Sequence, residues 1–208
     1  MIKKEIYIIR HGQTVYNARG IVQGRGIDAP LNDTGQKQAH AFYQMYRHEG
    51  FEVVYTSTLL RAKQTVEPFI RDGLPHIATP DLDEISWGNA EGMAAFTDNS
   101  ELFRSLLTEW KNGNIRHALP GGESPYDVQQ RQLRFLDTLL QTPHRKVLVC
   151  THGRYIRTLM CTMSRLPLTE MDTFEHTNLC LYKVNWLEGG DFQVVLRNHR
   201  EHLAGIDS

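Results

Sequence analysis

The sequence predicts an α/β fold: a three-layer α/β/α sandwich with a mostly parallel sheet of about six strands, helices on both faces and a helical insertion beside the site. Three observations predict it. Short apolar, β-branched runs alternate with stretches whose apolar residues recur at helical spacing, the pattern of a parallel sheet covered by crossover helices. Two of the runs, Ile6-Tyr7-Ile8-Ile9 and Val147-Leu148-Val149-Cys150, lead into Arg10-His11-Gly12 and Thr151-His152-Gly153. The carboxyl ends of strands are where open α/β sheets bind ligands. Two imidazoles from opposite ends of the chain are therefore expected at one sheet edge.

Taken in order, the first strand ends at Arg10, and Gly12 lets the chain turn sharply and its backbone approach a ligand. From there to Pro30 the chain reads as loop. It holds Gly20, Gly24 and Gly26 with Asn17, Arg19, Gln23 and Arg25, polar groups that either line an anion pocket or face water. Asn32 or Thr34 is placed to cap a helix over 36–47 with Ala39, Phe42, Tyr43 and Tyr46 on its apolar side. Gly50 breaks that helix. A second strand over 51–55 exits through Thr56-Ser57 into a helix over 58–70, with Leu59, Ala62, Val66 and Phe69 on one face. Pro68 is expected to end or kink it. Arg61 falls in its first turn, where a cation is unfavourable unless an anion sits at the same end.

A short third strand over 77–78 precedes Leu82-Asp83-Glu84-Ile85 and a glycine-marked loop at Gly88 and Gly92. Residues near 100–112 read as helix, with Leu102, Leu106 and Trp110 on one face, and Pro120-Gly121-Gly122-Glu123-Ser124 breaks the chain. The next helix, over 125–140, carries a core stripe of Val128, Leu133, Leu136, Leu139 and Leu140. After the strand at 146–151, a helix over 153–163 buries Ile156, Leu159, Met160 and Met163. Strands over 178–186 and 191–197 close the chain as a hairpin through Gly189-Gly190. With no repeat or linker, 1–208 reads as one domain in which 85–145 forms a lid or insertion.

The net charge of −1 and pI near 6.8 argue against nucleic acid or an anionic membrane as the main partner. Any anion must be held by a local cluster of cations. Cys150, Cys161 and Cys180 form no Cys-x-x-Cys pair and suit the reduced thiols of a cytosolic protein, with Cys150 in the core. The apolar run before Arg10 is too short for a signal peptide, and no stretch approaches a membrane span. The expected location is the cytoplasm, and a homodimer is compatible with the sequence.

Five blocks stand in order between about Lys4 and Asn198: Arg10-His11-Gly12 with Asn17; Thr56-Ser57-x-Leu59-x-Arg61-Ala62-x-Gln64-Thr65; Leu82-x-Glu84; Pro120-Gly121-Gly122-Glu123-Ser124; and His152-Gly153. Together they resemble the histidine phosphatase superfamily, which includes the cofactor-dependent phosphoglycerate mutases. The resemblance implies that His11 is the nucleophile, forming a phosphohistidine, and that Arg10 and Arg61 neutralise the phosphate dianion. A planar guanidinium suits that task because it binds two phosphate oxygens at once. His152 would stabilise charge on the phosphoryl oxygens. Asn17 and the backbone near Gly12 and Gly153 would complete the cradle, with Gln23 and Gly24 as further binding positions. Glu84 is implied as general acid and base, with Glu91 as its rival in the same loop region.

The acid block, Leu82 to Gly92, looks like the phosphatase branch and has no adjacent arginine cluster. The expected activity is metal-independent, cofactor-free hydrolysis of a small phosphorylated metabolite. Phosphoglycerate mutation is the alternative, as is a non-catalytic phosphate-binding regulator on the same fold. One departure stands out. Arg154 follows His152-Gly153 where relatives often have a small residue, so it either narrows the pocket mouth or clamps a second anion on the substrate, with help from Arg25 and Arg116. The remaining histidines, His40, His48, His76, His117, His144, His176, His199 and His202, are expected at the surface or in structural roles, and no metal is expected.

Overall fold

The computed structural model describes residues 1–93 and 101–206. The chain runs β1 (Ile2–Arg10), α1 (Val15–Ala18), α2 (Asp33–Tyr46), β2 (Val53–Thr56), α3 (Leu60–Arg71), β3 (His76–Ala78), α4 (Glu101–Lys111), α5 (Pro125–Gln141), β4 (Lys146–Thr151), α6 (Gly153–Ser164), β5 (Leu181–Leu187) and β6 (Phe192–His199). Short 3₁₀ turns occupy Pro80–Leu82, Gly88–Ala90, Leu168–Thr173 and Glu201–Leu203. The strands form one six-stranded sheet in the order β3-β2-β4-β1-β5-β6. The β1–β4, β2–β4 and β2–β3 pairs are parallel, and β1–β5 and β5–β6 are antiparallel. This is the mostly parallel α/β sheet the alternation predicts.

Successive side chains of a strand point to opposite faces, and β1 divides its apolar residues accordingly. Ile6 and Ile8 join Val147 and Val149 against Val128, Phe135 and Leu139 of α5 and Tyr155, Ile156 and Leu159 of α6. Tyr7 and Ile9 join Leu148 and Cys150 against Phe42 and Tyr46 of α2 and Ala62, Val66 and Phe69 of α3. A strand covered on both faces has no place for polar side chains in its middle, which is why β1 and β4 read as unbroken apolar runs. β1 pairs with β4 so that Arg10 lies beside Thr151, and β2 places Thr56 beside Cys150. The next residues of the three strands, His11, His152 and Ser57, leave the sheet together at its carboxyl edge.

The structure departs from the sequence expectations at several points. The stretch after Gly12 is not all loop: Thr14 caps α1, with Asn17 completing a reciprocal capping box. A helix of this length has no periodicity to read. On α4, Phe103 rather than Leu102 takes the inner face beside Leu106 and Trp110, and Leu102 is exposed. On α5, Leu133 is exposed and Phe135 and Gln132 turn inward. The buried Gln132 amide is satisfied by donating to Tyr155 O at 2.8 Å and Thr158 Oγ1 at 2.6 Å, so a polar side chain occupies space assigned to leucine. Pro68 does not end α3, which continues to Arg71. A proline forfeits one amide bond, and buried Phe69 holds the last turn against the core. β5 starts only at Leu181, because Leu179 takes a left-handed backbone, φ 53°, that interrupts the strand.

Position 100 of the helix expected near 100–112, and positions 94–100 of the 85–145 segment, lie outside the described residues. α5, within that segment, packs along the sheet. No helix among the described residues is long and apolar enough to cross a membrane.

Two glycines lock the exit of β1 against the start of α2. A Cβ on Gly12 would meet Gly35 O at 2.6 Å, and a Cβ on Gly35 would run into the backbone of Gln13. Neither has a positive φ, so close approach, rather than turn geometry, explains them. Gly35→Ala should therefore cost about 1–3 kcal/mol through overpacking, with the thermal midpoint falling about 2–4 °C per kcal/mol in a chain of this size. Calorimetry checks this, and an unchanged midpoint refutes the backbone-contact account.

Candidate active site

The register of β1 and β4 sets the two imidazoles of His11 and His152 side by side, with ring centroids 5.0 Å apart and both residues buried. His11 Nδ1 lies 2.7 Å from Gly12 O. A carbonyl only accepts, so Nδ1 carries the proton and donates. Burial, reinforced by the charges of Arg61 and Arg10, holds the His11 pKa well below the usual histidine value. The ring is thus neutral near pH 7 and presents a lone pair at Nε2. His152 Nε2 is hydrogen-bonded to Ser57 Oγ at 2.7 Å, and burial followed by Arg61 depresses its pKa in the same way.

The cations beside these rings are fixed by backbone carbonyls. Arg61, fully buried, donates to Ile27 O at 2.7 Å and Gly24 O at 3.1 Å. Burial lowers its pKa to about 10, which leaves it charged at neutral pH. Arg10 donates through Nη1 to His176 O at 2.7 Å. Yet Arg10 Nε, Arg61 Nε, Gln23 Nε2 and His152 Nδ1 are buried with no hydrogen-bond partner. An unmet buried donor costs about 1–3 kcal/mol. Unmet nitrogens of two cations beside the imidazoles, with that of Gln23 on the cavity wall, suit a ligand with several acceptor oxygens and negative charge.

Glu84 stands opposite, at the amino end of α6. Its Oε1 accepts from Ile85 N at 2.9 Å and Tyr155 N at 3.0 Å, and its Oε2 from Arg154 N at 3.1 Å. These include first-turn amides that a helix leaves unpaired. The backbone carrying Glu84 is held by Arg131 of α5, a residue that sequence reasoning missed. Arg131 donates to Asp83 O at 2.6 Å, Asp81 O at 3.1 Å and Glu84 O at 3.2 Å, and to both carboxylate oxygens of Glu123. Glu123 in turn accepts from Ser86 N at 2.9 Å. Glu91 is placed differently: it accepts from Trp87 N and packs against Gly24 and Gly26.

A cavity of about 450 Å³ opens over this edge and is lined by Arg10, Asn17, Gln23, Glu84, Gly153 and Arg154 among the residues singled out from the sequence. Asn17 Oδ1 accepts from Thr14 N and from Asn178 Nδ2. Gly12 N donates to Thr65 Oγ1 at 3.0 Å, so this amide is used within the protein. Gly24 meets the site through its carbonyl, on Arg61. The Arg154 guanidinium donates to Asp172 at 2.7 Å. The helpers expected for it lie elsewhere, each held by a closer partner: Arg25 pairs with Asp83 and Glu123, and Arg116 stacks over Tyr126.

His176 corrects another expectation. It lines the cavity, packs on Gly153 where a Cβ would meet its Nδ1 at 2.8 Å, and touches Arg10; burial lowers its pKa to about 2. Nothing in its neighbouring sequence marks it, because a long connection brings it back to the site. Asn178 was also missed; it donates to His11 O at 3.1 Å. The sequence marks Ser57 as a strand exit and as part of the Thr56-Ser57 block, with no role of its own.

The family model described as the histidine phosphatase superfamily (branch 1) matches residues 6–200. A Yersinia pestis protein named "Probable phosphoglycerate mutase GpmB" is 31% identical over 189 residues, covering 88% of this chain and 86% of its own. Among solved structures, Bacillus stearothermophilus YhfR superposes with a TM-score of 0.82 at 27% identity, covering 96% of this chain and 99% of its own. The alpha-ribazole phosphatase from Shigella flexneri does so with a TM-score of 0.80 at 24% identity, over 94% and 96% of the two chains, a likeness of fold.

Two outcomes are expected from this geometry. His11, His152 and His202 are buried with depressed pKa values, His202 at about 4 through burial. The unfolded chain binds protons near pH 6.5 that the folded chain refuses, so stability rises with pH below that value and is lost on acidification. Each histidine contributes up to about 1.4 kcal/mol per pH unit. Urea midpoints between pH 7.5 and 5 measure it; a flat profile contradicts buried neutral imidazoles. Separately, Arg131→Met should cost about 3–5 kcal/mol, since it removes a buried cation that holds three carbonyls and the half-buried Glu123 carboxylate. Chemical denaturation reads the loss, and a cost under about 1 kcal/mol would refute the anchoring role.

Proposed function

Since the chain belongs to the histidine phosphatase superfamily (branch 1), we propose that it hydrolyses phosphomonoesters through a covalent phosphohistidine on His11. The observation that carries this reading is the group of buried, unpartnered nitrogens on Arg10, Arg61 and His152 beside the His11 ring, with that of Gln23 on the cavity wall. A phosphate dianion would satisfy them and cancel the buried charge. His11 Nε2, kept unprotonated by the Nδ1–H bond to Gly12 O, then attacks phosphorus. The bond to the leaving oxygen breaks, and Glu84 gives that oxygen a proton. In the second half a water, deprotonated by Glu84, attacks the phosphohistidine; the P–N bond breaks and inorganic phosphate leaves. His152 and the two arginines stabilise the equatorial oxygens in both halves. Asn17, Gly153 and Arg154 line the substrate's path.

Fixed guanidiniums do the charge neutralisation here, so the reaction is read as metal-independent. Glu84 is preferred to Glu91 as the acid because Glu84 lines the cavity and the Glu91 carboxylate is packed against Gly24 and Gly26. The segment 85–145 is read as an insertion within a single domain, supported by the side chains of Trp87, Phe103 and Leu107 on the cavity wall.

The name of the Yersinia relative favours a second reading, phosphoglycerate mutation. The two chemistries share every step up to the phosphohistidine and differ in its acceptor, water or a second hydroxyl. Hydrolysis of an aryl phosphate should persist in chelator and fall by roughly four orders of magnitude in His11→Ala. Radiolabelled phosphate should be trapped on His11 by rapid denaturation. Label passing from the protein to glycerate phosphates instead of water would replace hydrolysis with mutation, and absence of any label on His11 would defeat both.

A further inference from the structure

We propose that the substrate's leaving group carries an aromatic or similarly flat apolar portion, seated against Trp87, Phe103 and Leu107. This rests on the phosphomonoesterase reading above and names the class of ester it takes. The cavity is lined by two kinds of group: polar ones that include Arg10, Asn17, Glu84, His176 and Asn178, and an apolar set of Ile21, Val22, Trp87, Phe103 and Leu107. A small polar alcohol would leave the apolar set uncovered. An apolar wall continuous with a phosphate cradle gains stabilisation only from an ester long enough to cover it.

That wall is held in place before any ligand arrives. Phe103 stands edge-on to Trp87 with centroids 5.3 Å apart, and buried Trp110 stacks behind Trp87 at 5.7 Å. The Arg154 guanidinium lies 5.8 Å from the Trp87 ring centre and 5.5 Å from that of Trp110. A rigid aromatic surface loses little side-chain entropy on binding.

The cations nearest this wall are engaged. Arg154 donates to Asp172 at 2.7 Å, and Arg157 pairs with the same carboxylate. A second anion on the substrate would have to compete with Asp172 for Arg154 and draw the guanidinium off two indoles. Arg157 keeps a buried N–H without a partner, on Nε, so a charged tail is the rival that the experiment must separate.

The test compares esters whose leaving alcohols are of similar basicity, so that reactivity drops out. kcat/KM is measured for 3-phenylpropyl phosphate, propyl phosphate and 3-phosphoglycerate. Covering a phenyl group should give the first a preference over the second of about ten- to a hundredfold. Phe103→Ala and Leu107→Ala should each shrink that ratio, through KM more than kcat. Equal kcat/KM for the phenylpropyl and propyl esters would overturn the proposal and leave the phosphatase reading standing. A preference for 3-phosphoglycerate would overturn it in favour of an anionic tail at Arg157. No turnover of any ester, with no label on His11, would remove the phosphatase reading and this proposal with it.

Discussion

The parallel pairing of β1 with β4 is the constraint on which the site depends. It joins residues 141 positions apart in register, Arg10 beside Thr151, and both strands are covered on their two faces, so neither can slip. A shift of one residue would move every apolar side chain to the wrong face. The packing of Ile6, Ile8, Val147 and Val149 against α5 and α6, and of Tyr7, Ile9, Leu148 and Cys150 against α2 and α3, therefore fixes the spacing of His11 and His152. Hydrophobic patterning over the whole sheet is what holds two imidazoles 5.0 Å apart.

Electrostatics then works against the fold at that same edge. Arg61 is fully buried beside two histidines that cannot share its charge, and its Nε has no partner. Carbonyls of the 24–27 loop hold the guanidinium but do not neutralise it. The site is assembled at a cost in stability that an anion with several oxygens offsets. The Glu84 charge favours the Arg61 and Arg10 cations, but its oxygens are held by backbone amides; Glu123 is held by Arg131, and Asp172 by Arg154 and Arg157. The Arg61 and Arg10 charges remain next to His11 without a direct ion pair.

Individual residues mark how far the sequence could be read. Arg10, His11, Arg61, Glu84 and His152 were legible because each follows a strand or opens a helix within a short, ordered block. Asn17 was visible as a polar residue in a glycine-rich stretch, although the helical turn it caps was not. Leu102 and Leu133 were misplaced because a helical stripe read from leucines alone admits two rotations, and Phe103 and Gln132 decide which one packs. Gln132 also shows that a buried amide with two acceptors displaces an apolar side chain.

By itself the sequence determined the alternation of strands and helices, the apolar cores of β1 and β4, and the residue types at each strand exit. These are set by local periodicity and by side-chain chemistry, which need no neighbours to be read. The tertiary structure alone decided that His176 and Asn178 return to the site, that Arg131 anchors the Glu84 backbone, and that Arg154 is tied to Asp172. Each of these depends on where a connection brings distant atoms within about 3 Å, a range at which hydrogen bonds and ion pairs form. No spacing along the chain encodes it.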